Sequence, residues 1–159
     1  MVEAMIKKIL AIYGAGSHAK DIAGIVASTK EYCDYITYYD DNIDVLLNID
    51  YKTHKDFHRD ELYLIGANWP KVKREISSKI DTYRSIAPPV VHPSVTGKRN
   101  FLDLGVVVGA QVDLGVDTHI GQHTHIGAGV TITRASIGEF STVGPGANIC
   151  GDVLIGNDV

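Results

Sequence analysis

The sequence predicts a small Rossmann-like α/β unit, residues 1–88, followed by a parallel β-helix of hexapeptide repeats, residues 89–159. Three observations carry this. Aliphatic residues recur at every sixth position through the C-terminal half. A G-x-G-x-x-A loop lies between a strand-like and a helix-like stretch near the N-terminus. A proline-rich join, APPVVHPSV at 87–95, separates the two rhythms.

The α/β unit comes first in the chain. KKILAIY, 7–13, reads as a buried strand that runs into GAGSHA. KDIAGIVASTK, 20–30, follows with Ile22, Ile25 and Val26 at helical spacing. ITYYDD, 36–41, reads as a second strand ending in two acids, and ELYLIGA, 61–67, as a third. WPKVKREISSKI, 69–80, is a basic amphipathic helix. Strand–helix alternation of this kind indicates parallel strands. The prolines of 87–95 favour extended backbone and prohibit helix.

In the second half the aliphatics are Leu102, Val108, Leu114, Ile120, Ile126 and Ile132, then, after a five-residue step, Ile137, Val143, Ile149 and Ile155. Gly follows seven of these ten. The fourth residue after each is small or β-branched, as in Val112, Thr118, Thr124, Ser136 and Ala147. A period held this long is an internal repeat. A short strand turns, with Gly supplying awkward backbone angles and room, and three such segments close a coil of roughly eighteen residues. Each every-sixth aliphatic then points inward. A β-sandwich would alternate with period two and space its turns more widely.

Composition excludes several classes. The chain has 159 residues, 45% hydrophobic and 21% charged, with net charge −4. That is globular composition with no general attraction to nucleic acid or acidic membranes. Cys33 and Cys150 are too few for a disulfide framework. No apolar run reaches membrane-spanning length. KKILAIYGAGSHAKDIAGIV is only faintly like a signal peptide, because its apolar run is short and His18, Lys20 and Asp21 occupy the cleavage region. The expectation is a cytoplasmic protein.

Gly14-Ala15-Gly16-Ser17-His18-Ala19 occupies the strand–turn–helix context the motif requires. The first Gly makes the turn, the second lets phosphate oxygens approach, and free helix amides face an anion. Asp40 and Asp41 end the second strand at the same sheet edge, where a carboxylate can accept hydrogen bonds from a ribose or a base. A structural turn without ligand is the alternative. The unit is too small for a full dinucleotide fold, so one nucleotide diphosphate fits better.

His119 and His125 each precede an inward Ile, so both point outward on adjacent faces, with His123 near a corner. One chain cannot easily gather the three round a metal, and no metal is expected. They are read either as solvated surface groups or as lining a cleft between subunits, where a neutral imidazole acts as a base.

Together these residues resemble a known family. The motifs are Gly14-Ala15-Gly16-Ser17-His18-Ala19-Lys20, Asp40-Asp41-Asn42, Ile65-Gly66-Ala67-Asn68, Val91-His92-Pro93-Ser94-Val95 and the hexapeptides. The series is similar to the sialic-acid O-acetyltransferase and bacillosamine/perosamine N-acetyltransferase group of bacterial left-handed β-helix enzymes. The resemblance implies a left-handed coil, a homotrimer, acetyl-CoA as cosubstrate and a UDP- or GDP-linked amino sugar. It implies that Gly14, Gly16, Ser17, His18, Asp40 and Asp41 contact the nucleotide sugar.

Two departures follow. Counting back from Ile137-Gly138, the position of the family's basic histidine is Thr133 and that of the acid after it is Arg134; a second histidine position is Thr142. A threonine hydroxyl is too weak a base at neutral pH, so no catalytic residue is assigned. The expected function is nucleotide-sugar binding on an acetyltransferase scaffold. Turnover then requires a relocated base, such as His125 or His123 across a subunit boundary. The alternative is a non-catalytic nucleotide-sugar-binding protein or a trimeric structural relative. The chain also stops at Val159, partway through a coil, which is read as a short or truncated β-helix whose last coil needs cover.

Overall fold

A computed structural model describes residues 9–29, 32–41, 61–80, 85–97 and 101–159. Asn42, quoted in the resemblance above, lies outside these residues, as do Lys7, Lys8 and Lys30 of the first predicted strand and helix.

The first unit is a four-stranded parallel sheet. Its strands are β1 (Ile9–Tyr13), β2 (Tyr35–Tyr39), β3 (Leu62–Ile65) and β4 (Ser85–Ile86), in the order β2-β1-β3-β4. Helix α1 (Ser17–Ser28) joins β1 to β2, and α2 (Pro70–Ile80) lies between β3 and β4 in sequence. The chain therefore leaves β1 for one neighbour and later returns to its other side. The carboxyl ends of β1, β2 and β3 meet at this switch point, where open α/β sheets leave a crevice. Strand β4 was not foreseen, since two residues give no periodicity to read. Leu10, Ile12, Ile22, Val26 and Leu64 fill one face of the sheet, and Tyr13, Tyr39, Tyr63 and Ile65 the other.

The remaining strands form a three-faced parallel coil. Face one stacks β5 (Val90–Val91), β7 (Val107–Val108), β10 (His125–Ile126) and β12 (Thr142–Val143). Face two holds β8 (Asp113–Leu114) and the first parts of β11 (Thr131–Ile137) and β13 (Asn148–Ile155). Face three holds β6 (Phe101–Leu102), β9 (His119–Ile120) and the ends of β11 and β13. The register makes the coil length explicit: Val107 pairs with His125 and Phe101 with His119, eighteen residues on. Past the five-residue step, His125 pairs with Thr142 and His119 with Ser136, seventeen on.

The predicted aliphatics are inside. Val108, Leu114, Ile120, Ile126, Ile132 and Ile137 are all nearly inaccessible, while Leu102, Ile149 and Ile155 at the two ends of the stack are half-buried. Two details of the repeat are corrected. The glycine after each aliphatic provides room but not the unusual angle: a Cβ on Gly127 would come within 2.6 Å of the Pro145 nitrogen in the next coil. Positive φ falls instead three residues after most of the aliphatics, at Gln111, Asp117, His123, Phe140, Asp152 and Asp158 among others. Polar residues such as Asp and His tolerate that region better than β-branched ones. At the five-residue step the inward partner of Ile137 is Ala135, 4% exposed, and not Ser136. The register shift between Thr133 and Ala135 absorbs the missing residue, with Arg134 turning at φ 45°.

The outward residues of face one are covered by the α/β unit. Val90 and Val107 join the cluster of Leu10, Ile22 and Val26, and Phe140 joins that of Tyr13, Tyr39 and Tyr63. At about 25 cal/mol per Å² of apolar area removed from water, such a seam is a substantial stabilising term. Thr29 and Tyr32 add hydrogen bonds to the carbonyls of Val91 and Pro88, at 3.3 and 2.6 Å. Among the described residues no helix is long and apolar enough to cross a membrane.

Candidate active site at the junction of two clefts

The glycine loop leaves the carboxyl end of β1 and starts α1. Gly14 turns at φ +98°, and its amide donates to the Tyr39 carbonyl at 2.7 Å. Gly66 at the end of β3 lies so close beneath it that a Cβ there would meet Gly14 O at 2.9 Å. Gly16 caps α1 with extended backbone and no side-chain hydrogen bond. The first helical amides are therefore open to an anion.

The six residues predicted to contact a nucleotide sugar all line one cleft of about 360 Å³: Gly14, Gly16, Ser17, His18, Asp40 and Asp41. Trp69, Glu75 and Lys79 complete its far wall. The two acids have distinct tasks. Asp40 accepts the Ala15 amide at 2.7 Å and so fixes the loop to β2, while Asp41 pairs with Lys79 at 3.5 Å on the exposed rim. A ligand would meet Asp40 already partly occupied.

A second cleft, about 680 Å³, runs between α1 and face one of the coil. Its walls include Ile22 and Ile25 on one side and the corner residues Gly109, Gly127 and Gly144 on the other. Only small residues follow these glycines on that corner: Ala110, Ala128 and Pro145. His18 and Asn68 line both clefts, so the two cavities adjoin there.

At the junction His18 Nε2 lies 2.8 Å from Nδ1 of His125. His125 was expected to be outward, and relative to the coil it is. It is not solvated, however: α1 covers it, and only 3% of it is exposed. Its Nε2 is buried without a hydrogen-bond partner. In the tautomer with Nδ1–H donating to His18, that Nε2 carries the free lone pair. Burial, then the nearby charge of Lys73, hold the His125 imidazole well below its ordinary value; the same two causes lower His18. Both are neutral near pH 7.

The other histidines separate. His123, at its corner, is also buried, stacked on Tyr63 at 5.6 Å and against Phe140 at 5.1 Å. His119 alone of the three is exposed, 3.2 Å from Asp103. Among the described residues no cluster of three or more His, Cys, Asp or Glu is arranged to hold a metal. Thr133 and Arg134 line neither cleft, and Arg134 reaches Asp152 at 3.5 Å on another corner.

One site residue was noted in the sequence only as a missing histidine, and another went unnoticed. Thr142 is the register partner of His125 and donates its hydroxyl to the Asn68 carbonyl at 2.9 Å. Lys73 is fully buried and donates to the carbonyls of His123 and Ser141, at 3.2 and 2.8 Å, and to Thr142 Oγ1 at 2.8 Å. The helical pattern did not point to it: Val72, Ile76 and Ile80 mark the apolar side of α2, yet Val72 is exposed and Lys73 beside it is buried.

No family model matches the chain, and no curated protein matches it in sequence. Solved structures do match in shape. The acetyltransferase domain of PglB from Neisseria gonorrhoeae is 18% identical with a TM-score of 0.80, over 91% of this chain and 74% of that one. The same domain in complex with acetyl coenzyme A is 17% identical with a TM-score of 0.63, over 93% of each chain. A histidine-to-alanine mutant of GDP-perosamine N-acetyltransferase from Caulobacter crescentus, in complex with CoA and GDP-perosamine, is 16% identical with a TM-score of 0.68, over 94% and 91%. The chain shares the fold of these acetyltransferases.

Proposed function

We propose that this chain transfers an acetyl group from acetyl-CoA to the amine of a nucleotide-linked sugar, with His125 as the proton acceptor. The nucleotide diphosphate lies against the glycine loop, and the sugar points toward His18. The extended thioester arm follows the second cleft, whose small corner residues leave room for it. The amine nitrogen attacks the thioester carbonyl; the C–N bond forms and the C–S bond breaks. His125 Nε2 takes the proton lost from nitrogen and returns it to the departing sulfur, leaving CoA as the thiol.

The observation that carries this reading is the 2.8 Å contact of His18 with His125, at the junction of the two clefts. A buried, neutral imidazole with an unpartnered nitrogen suits a general base. It also stands one coil before Thr142, a position where the resembled family has a histidine. The neighbours that share the fold are solved with acetyl coenzyme A, or with CoA and GDP-perosamine, which supports the same pair of ligands here. Membership of that family, the left-handed coil, the homotrimer and the cytoplasmic location belong to the same proposal. Threonine and arginine at 133 and 134 favour one competing reading, a nucleotide-sugar binder without turnover.

Thiol release from acetyl-CoA, with UDP- and GDP-linked amino sugars as acceptors, tests the proposal. Acceptor-dependent release supports transfer. A nucleotide-induced rise in melting temperature without any release supports the binder. Neither signal with any nucleotide sugar would refute both.

A further inference from the structure

Lys73 is an unusual residue to bury. Its three acceptors are two backbone carbonyls and a hydroxyl, all uncharged. Desolvation of a cation is costly unless its hydrogen bonds are satisfied, and here each donor proton has an acceptor. These contacts surround His125. His123 lies two residues before it, and Thr142 faces it across the ladder. Thr142 also holds Asn68, which lines both clefts. A single ammonium group therefore ties α2 to the strand that carries the candidate base and to its neighbour in the ladder.

We propose that Lys73 is a positioning residue for the acyl transfer: it clamps the strand pair beneath His125 and sets a positive charge close to the His18–His125 pair. The proposal rests on the reading of that pair given above. A cation nearby disfavours a second positive charge on either imidazole, so both keep a lone pair available. Burial lowers Lys73 itself to about 7. Its charge is thus present below neutral pH, the range in which an ordinary imidazole, near 6.5, begins to protonate. The titratable and charged groups on the surrounding elements include His18, Lys20 and Asp21 of α1, Glu61 before β3, His123, His125 and Glu139 of the coil, and Lys71, Arg74, Glu75 and Lys79 of α2. Of the acids, Glu61 accepts from the Tyr39 hydroxyl at 2.8 Å, and Asp21 opposes the lowering of His18 only as the smallest of its three causes.

The test is a histidine titration by nitrogen-15 NMR in the full chain, run on wild type, Lys73→Met and Lys73→Arg, beside a pH profile of thiol release. In Lys73→Met the midpoints of His125 and His18 should rise by about one pH unit, the size expected of one nearby charge. The acid limb of the thiol-release profile should move up with them. Lys73→Arg, which keeps the charge, should stay near wild type in both. Unchanged histidine midpoints in folded Lys73→Met would overturn the proposal. Should Lys73→Met fail to fold, Lys73→Gln gives the same reading: a rise of both midpoints supports the proposal, and unchanged midpoints would overturn it. The NMR readout needs no turnover. Absent thiol release at every pH would therefore sink the transfer reading while the titrations still judge Lys73.

Discussion

His18 and His125 stand 107 positions apart in the chain, yet their ring nitrogens lie 2.8 Å apart. One comes from the glycine loop of the sheet and the other from the outer side of the coil. Their contact stands where the two clefts adjoin. If it supplies the base, His125→Asn should lower acetyl-CoA thiol release by about 10²–10⁴-fold. The melting-temperature shift produced by the nucleotide sugar should persist, because His125 lines only the second cleft. Loss of both together would point to collapse of the site and not to a missing base.

Asp40 holds the Ala15 amide, so its role is to shape the loop. Asp40→Ala should cost about 1–3 kcal/mol in urea unfolding, the range for an amide deprived of a charged acceptor. It should also weaken the nucleotide-induced thermal shift. A fully stable Asp40→Ala that binds normally would remove Asp40 from the site.

Gly66 and Gly16 should respond differently to the same substitution. A Cβ on Gly66 would lie 2.7 Å from Ala19 Cβ and 2.8 Å from Ile12 Cγ2, whereas Gly16 has open space. Gly66→Ala should lose about 1–3 kcal/mol through overpacking. Gly16→Ala should leave stability within about 0.5 kcal/mol, yet reduce nucleotide affinity where the phosphate approaches the backbone. Chemical denaturation and calorimetric titration read the two effects separately.

Stability should depend on pH in two windows. His18 and His125 are lowered in the fold, so below about 6.5 the unfolded chain binds protons that the native chain does not. Stability is then lost as pH falls. Lys73 titrates at about 7 when folded against about 10.5 unfolded, so stability should climb as pH rises from 7 toward 10. Each such group contributes up to about 1.4 kcal/mol per pH unit within its window. Urea midpoints measured from pH 5 to 9.5 check both slopes, and Lys73→Met should flatten the upper one.

The five-residue step makes a direct comparison possible. Ala135 faces the core and Ser136 is half-exposed. Ala135→Asp should destabilise by several kcal/mol, because a buried carboxylate there has no built partner, while Ser136→Asp should change little. Equal losses would mean the inward register had been misassigned.

Much of the architecture could be read from the sequence. Ile120, Ile126 and Ile132 identified a coil because an inward residue every six positions satisfies neither a helix nor a flat sheet. The loop Gly14–Ala19 and the acids Asp40 and Asp41 were placed at one sheet edge because each follows a strand of the same direction. Gly14, Gly16, Ser17, His18 and both acids do line one cleft. The step at Ile132–Ile137 was visible, but its consequence at Ala135 was not. A five-residue interval can be absorbed at more than one point, and backbone strain decides which.

The sequence by itself determined most of the elements, the every-sixth aliphatics that point inward and the composition of the glycine loop. These follow from local periodicity and backbone sterics, which act over a few residues. Only the tertiary structure decided that the outward side of His125 is covered by α1, that Lys73 is buried against three neutral acceptors, and that two clefts meet at His18. Those facts depend on which surfaces of the two units dock. Docking is set by shape and desolvation summed over residues far apart in the chain, for which no local pattern of sequence carries a sign.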